Sequence, residues 1–153
     1  MTPTTAATSR SAVAIAQFLE LLSKGRLDQW AALWSEDAVQ LMPYAPEGFP
    51  QRLDGRGRIV RHYENVLANK VDGVRFNDVL VFASADGRFA FAQYRGDSVN
   101  KSTGKIYRQQ YAGLFEFERG RIRKWTEYFN PLPFIEAYDG GRNAAIVAGA
   151  EDS

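Results

Sequence analysis

The stretch VRFNDVLVFASADGRFAFAQYRGDSVNKSTGKIYRQQYAGLFEFERGRIRKWTEYF, residues 74–129, decides the fold. Its apolar residues recur with a period of two, the pattern of strands that bury one face. Four strand-like runs, Val74 to Ala83, Phe89 to Val99, Ile106 to Glu118 and Arg121 to Phe129, are separated by Ala85-Asp86-Gly87, Lys101-Ser102-Thr103-Gly104 and Arg119-Gly120. Connectors of that length and composition make hairpins, so the runs are expected to form an antiparallel meander.

Upstream of Gly73 the period is 3.6. Ile15, Phe18, Leu19 and Leu22 predict a helix over residues 11–23, stopped by Lys24-Gly25. Leu27, Trp30, Ala31 and Trp34 repeat the spacing in a second, short helix. Glu36-Asp37 reads as a turn before a short strand from Ala38 to Met42, and the proline-rich loop from Pro43 to Pro50 ends that strand. A third helix starts near Asp54-Gly55, with Asp54-Gly55 as its cap and an apolar stripe through Ile59, Tyr63, Val66 and Leu67. Pro131 and Pro133 end the last strand. Three helices followed by a meander give an α+β domain, with the helices on one face of a curved sheet. Residues 11–138 form that domain, residues 1–10 a flexible N-terminus and residues 139–153 a loose tail.

Composition limits the chemistry. The 153-residue chain has no Cys and one His, which excludes thiol nucleophiles, thiolate metal sites and any centre that needs two imidazoles from one chain. With 19 Lys and Arg against 18 Asp and Glu, scattered along the chain, no basic patch marks a nucleic-acid surface. No run approaches the length of a membrane span, and residues 1–10 lack a signal-peptide pattern, so a cytoplasmic protein is expected. Catalysis would fall to carboxylates, Tyr, Arg and the one His.

Within Trp125-Thr126-Glu127-Tyr128-Phe129, alternation puts Glu127 on the face of Trp125 and Phe129. If that face is inward, desolvation raises the carboxyl pKa into the range of a general acid or base; if it is outward, Glu127 is a solvated strand residue. His62 interrupts the apolar stripe of the third helix, which suits either a core-edge histidine or an acid–base partner across the cavity from Glu127. Arg95 and Asp97 share a strand face with Phe89, Phe91 and Gln93; they orient a carboxylate if the face is concave and form a surface pair if it is not. Tyr107 and Tyr111 share a face and can hold a substrate oxygen.

The order of these pieces resembles the nuclear transport factor 2-like superfamily in its SnoaL-like branch. The resemblance rests on Trp34-Ser35-Glu36-Asp37-Ala38-Val39, Gly55-Arg56, Thr103-Gly104-Lys105, Gly120-Arg121-Ile122 and Trp125 to Pro131, and it spans residues 11–138. It implies a cone-shaped sheet with three N-terminal helices over an apolar cavity, a homodimer, and no metal or organic cofactor. Ketosteroid isomerase is similar in layout, but Phe18, Met42 and Gly113 stand where its catalytic Tyr and two Asp would be. The phenazine-biosynthesis PhzA/PhzB proteins match at His62, Glu127 and Tyr107. Limonene-epoxide hydrolase matches at Arg95-Gly96-Asp97 and Glu127, with Val39 and Leu41 in place of its water-positioning Tyr and Asn.

The resulting expectation is a cofactor-independent acid–base enzyme of isomerase, cyclase or lyase type acting on a small hydrophobic molecule. Glu127 and His62 carry it, with Tyr107, Tyr111, Trp125, Phe18, Met42 and Tyr63 around the substrate. The alternatives are an epoxide hydrolase built on Arg95, Asp97 and Glu127, and a non-catalytic ligand-binding module.

Overall fold

The computed structural model describes residues 10–138; the expected flexible N-terminus and loose tail otherwise lie outside the described residues. The elements are α1 (Arg10–Ser23), α2 (Leu27–Ala31), β1 (Trp34–Leu41), β2 (Arg52–Asp54), α3 (Arg56–Ala68), β3 (Arg75–Ala83), β4 (Phe89–Val99), β5 (Ile106–Glu118), β6 (Arg121–Phe129) and α4 (Pro131–Ala137). The six strands form one open, curved sheet in the order β2-β1-β6-β5-β4-β3. The expected meander is present as β3 to β6, antiparallel throughout.

Helix α1 ends as its sequence requires. Gly25 adopts φ 69°, and the amides of Gly25 and Arg26 return to the carbonyls of Leu22 and Leu21 at 3.1 and 2.9 Å. This is a Schellman closure, which favours a residue without Cβ at the left-handed position. Its buried face, including Ile15, Phe18, Leu19 and Leu22, lies over β3 and β4. Helix α3 packs on β1 and β2, and α4 on β5. All press on the same sheet face, so the core forms between sheet and helices.

The structure corrects several expectations. The second helix stops at Ala31, and Trp34 instead opens β1; both periods place its indole inward, where it is fully buried. Glu36-Asp37 is an irregularity inside β1, where the register slips between Trp34 and Val39. β1 runs parallel to its neighbour β6, so the sheet is mixed, and the short strand β2 closes its edge. The cap of α3 is Gly55 at φ 91°, while Asp54 pairs with Arg52. Arg10 belongs to α1. A fourth helix, α4, follows the last strand: Asn130 caps it by accepting from the Leu132 amide at 3.0 Å, and Pro131 fills the first turn.

No helix among the described residues is long and apolar enough to cross a membrane. The outer sheet face keeps apolar side chains exposed. Phe82, Phe91 and Leu114 fall in one cross-strand row, with Leu80 and Val79 nearby.

Candidate active site

Which face of each strand is inward decides which chemistry assembles. Along β4 the buried positions are Ala90, Ala92, Tyr94, Gly96 and Ser98. Along β6 they include Trp125, Glu127 and Phe129. In register, Ala92, Gly113 and Glu127 form one row across β4, β5 and β6, flanked by Tyr94–Tyr111–Phe129 and Ala90–Phe115–Trp125. The small residues beside Glu127 leave room for larger neighbours. A Cβ at Gly113 would come within 2.8 Å of the Trp125 Nε1, and one at Gly96 within 2.9 Å of the Tyr111 ring. Gly96 thus lets Tyr111 lie against β4 and stack on Tyr94 at 5.1 Å.

Glu127 is buried and lines a largely apolar pocket between the sheet, α1, α3 and α4. The Tyr94 hydroxyl donates to its Oε2 at 2.5 Å. No cation pairs with Glu127 among the described residues, and burial drives its pKa up to about 8 against the opposing pull of the Tyr94 hydrogen bond. Burial, with the Glu127 carboxylate as the next cause, also holds the Tyr63 and Tyr94 hydroxyls well above their usual range. At neutral pH the site therefore holds a protonated carboxyl group wedged among unionised tyrosines.

His62 lines the same pocket from α3, packed against Phe49 and Tyr63 with ring centroids 5.2 and 4.9 Å away. Burial lowers its pKa to about 4, and its Nδ1 has no hydrogen-bond partner. It is a neutral imidazole with an unsatisfied nitrogen, and no hydrogen bond ties it to Glu127. Tyr63 lies between α3 and the sheet, its hydroxyl accepting from Gln40 Nε2 at 2.6 Å.

The pocket also brings together Tyr107, Tyr111, Trp125, Met42 and Tyr63. The Tyr107 hydroxyl accepts from Gln109 Nε2 at 2.9 Å, and Gln109 is tied in turn to the Asn130 carbonyl at 2.7 Å. Phe18 does not border the pocket. It is fully buried in the core, where its ring meets Trp30, Trp34, Phe115 and Trp125. Arg95 and Asp97 are placed on the outer sheet face. Arg95 lies 3.6 Å from Asp78, while Asp97 accepts from Asn77 at 3.0 Å and lies 3.9 Å from Arg108. Backbone alternation keeps both away from Glu127, so the hydrolase-type trio does not assemble.

Tyr94 and Lys70 are among the pocket residues that escaped the sequence reading. Tyr94 sits on the face of β4 opposite Arg95 and Asp97; the signal for it was the uncharged alternate row Ala90, Ala92, Tyr94, Gly96. Lys70 continues the stripe Ile59, Tyr63, Val66, Leu67 at helical spacing just past the end of α3, and it too lines the pocket.

Residues 15–125 match the SnoaL-like domain family. An uncharacterized PhzA/B-like protein of Pseudomonas aeruginosa is 35% identical over 133 residues, covering 86% of this chain and 93% of its own. YesE of Bacillus subtilis, also uncharacterized, is 33% identical over 124 residues, covering 81% of this chain and 84% of its own. A crystal structure from Bacillus subtilis, provisionally named an isomerase, aligns with a TM-score of 0.79 at 30% identity over 92% of this chain and 97% of that one. With its open sheet, one-sided helices and buried pocket, the chain belongs to the SnoaL-like domain family of nuclear transport factor 2-like fold.

Proposed function

We propose that the pocket catalyses proton transfer on a small hydrophobic cyclic or aromatic molecule, in isomerase-, cyclase- or lyase-type chemistry, with Glu127 as the general acid–base. One observation carries this reading: a buried carboxyl without a cationic partner among the described residues, anchored by Tyr94 in an apolar pocket. A carboxyl group with a pKa near 8 still holds its proton at neutral pH, so it is available as a general acid, and once ionised it is a far stronger base than a solvated glutamate. Tyr94 fixes Oε2, leaving Oε1 to face the substrate. His62, neutral throughout the physiological range, hydrogen-bonds a substrate oxygen through its unsatisfied nitrogen and does not itself take up the proton. The name given to the Bacillus subtilis structure, an isomerase, is consistent with this chemistry.

The test is proton abstraction itself. Cyclic and aryl ketones with activated C–H bonds are incubated with the protein in D2O, and deuterium at carbon is followed by NMR. The wild type exchanges, and Arg95→Ala and Asp97→Ala exchange at the wild-type rate because both residues lie outside the pocket. Loss of exchange in Arg95→Ala would point back to an Arg-assisted mechanism. Ligand binding in the pocket with no exchange at any carbon would leave a binding module as the better account.

The working unit is a homodimer joined through the outer sheet face, where the Phe82–Phe91–Leu114 row is continuous across three strands and mixed charges border it. Light scattering coupled to gel filtration should give twice the chain mass, and Phe82→Arg combined with Leu114→Glu should give the monomer. A wild-type monomer at micromolar concentration would refute the dimer.

A further inference from the structure

Lys70 is the one charged side chain of the pocket wall besides Glu127 among the described residues, and nothing in the acid–base scheme uses it. Its position is fixed from several sides. Its amide donates to Leu67 at 3.0 Å and its residue bridges to Asn100, while the neighbouring Asn69 carbonyl accepts from the Lys101 amide at 2.7 Å. The side chain is 4% exposed. Its Nζ donates to Asn100 Oδ1 at 2.5 Å and to the Tyr138 hydroxyl at 2.8 Å, and it lies over the rings of Tyr107 and Tyr138 at 4.9 and 5.0 Å. Asn100 is aimed by its own Nδ2, which donates to the Ala137 carbonyl at 3.0 Å. Every one of these partners is neutral, and no carboxylate pairs with Lys70 among the described residues.

Such a cradle suits an ammonium ion. Two neutral acceptors and two π faces all favour the charged, donating form, whereas an amine nucleophile needs its lone pair free. An ammonium ion has three N–H donors, and two are in use here. Burial without a counter-charge is costly, and it lowers the Lys70 pKa to about 7. A ligand that brings a negative charge beside Nζ removes that cost.

We propose that Lys70 binds an acidic group of the substrate, so that the pocket takes an aromatic or cyclic carboxylic acid with its carboxylate at Lys70 and its reacting carbon at Glu127. The inference rests on the acid–base reading of the pocket and adds the substrate class to it. Lys70 is a binding group under this proposal and takes no part in the proton transfer.

The experiment compares acid–amide pairs of equal shape, benzoate with benzamide and 2-naphthoate with 2-naphthamide, by quenching of tryptophan fluorescence. The wild type should prefer at least one acid over its amide by about 10- to 100-fold, the range of a charge-assisted hydrogen bond. Lys70→Met, of similar length and without charge, should bind acid and amide equally, and Glu127→Gln should retain the preference. Equal affinity for acid and amide in every pair, or no acid binding at all, overturns the proposal in the wild type alone, whether or not the Lys70 variant folds. A preference that survives in folded Lys70→Met overturns it too. Deuterium exchange separates this outcome from the fate of the underlying reading: exchange without acid preference rejects Lys70 and keeps Glu127, and acid preference without exchange does the reverse.

Discussion

Glu127→Gln should lower kcat/KM for deuterium exchange by about 10²- to 10⁴-fold while leaving the folded protein as stable as the wild type near pH 7 or more so. The amide keeps the shape of the protonated acid and can still accept from Tyr94, but it cannot take up a proton. The same variant makes a second, independent prediction about stability. A carboxyl group held near 8 in the folded state and near 4.5 in the unfolded chain stabilises the fold fully below pH 4.5, and that contribution is lost as pH rises towards 8, by about 1.4 kcal/mol per unit. His62 has the opposite sign: its folded value of about 4 lies below its ordinary 6.5, so the unfolded chain binds the extra proton and stability rises over that interval. From pH 4.5 to 6.5 the two slopes cancel in the wild type. Removing Glu127 leaves the His62 slope uncovered, so the variant should gain about 2–3 kcal/mol relative to the wild type between those two pH values. Urea unfolding at pH 4.5 and 6.5 measures it. Subtracting the two proteins removes every other titrating group, so identical profiles would mean that Glu127 is ionised in the folded state and that the proposed acid–base group is not there. Exchange by the wild type should rise with pH to a plateau, with its midpoint near 8, as a base of that pKa ionises.

How much of this was legible in the chain depends on how local each feature is. The helices announced themselves because Ile15, Phe18, Leu19 and Leu22 repeat at the pitch of a helix, and the meander because its hairpin connectors are short. The parallel pairing of β1 with β6 joins segments distant in sequence, and nothing in the periodicity of Ala38 to Leu41 encodes its partner. Alternation separates the two faces of β4 but does not say which is inside. The face with more phenylalanine, Phe89 and Phe91, is the outer one, because the core side is filled by large rings from elsewhere, Trp125 and Phe115 among them, and so tolerates only Ala90 and Ala92 at those positions. With the facing of the Phe row left open, Arg95 and Asp97 stayed candidates, while the alternate row that carries Tyr94 offered no charged group to draw attention to it. Glu127 was legible because two aromatics flank it on a strand whose centre lies between β1 and β5, where both faces of the pattern agree. Asn130-Pro131 carried a helix-start signal of its own, a cap followed by the one residue already shaped for the first turn, and it was outweighed by the strand-ending role of the same prolines.

Phe18→Ala should destabilise the fold severely, with little direct effect on ligand binding. The ring is fully buried at the centre of an aromatic cluster. Its centroid lies 5.2 Å from Trp30, 5.9 Å from Trp34, 5.2 Å from Phe115 and 4.9 Å from Trp125, with edge-on geometry towards the last two. Those partners come from α2, β1, β5 and β6, so one side chain on α1 ties the helical layer to the middle of the sheet. Truncation removes the burial energy of the ring and its edge-to-face contacts, and the large, stiff indoles around it cannot collapse into the space. The expected loss is about 3–5 kcal/mol. For a domain of this size that corresponds to a drop in Tm of roughly 10–15 °C, measurable by circular dichroism. Phe18 stands where the ketosteroid isomerase layout has its catalytic Tyr and was expected beside the substrate, and on that basis the truncation would weaken ligand binding and hardly move Tm. The packing predicts the reverse: a large thermal shift, with acid–amide discrimination at Lys70 and exchange at Glu127 preserved in the protein that remains folded. A small Tm change together with a large loss of affinity would place Phe18 in the pocket after all, and would mean that α1 sits closer to the ligand than the ring contacts with Trp30 and Trp34 allow.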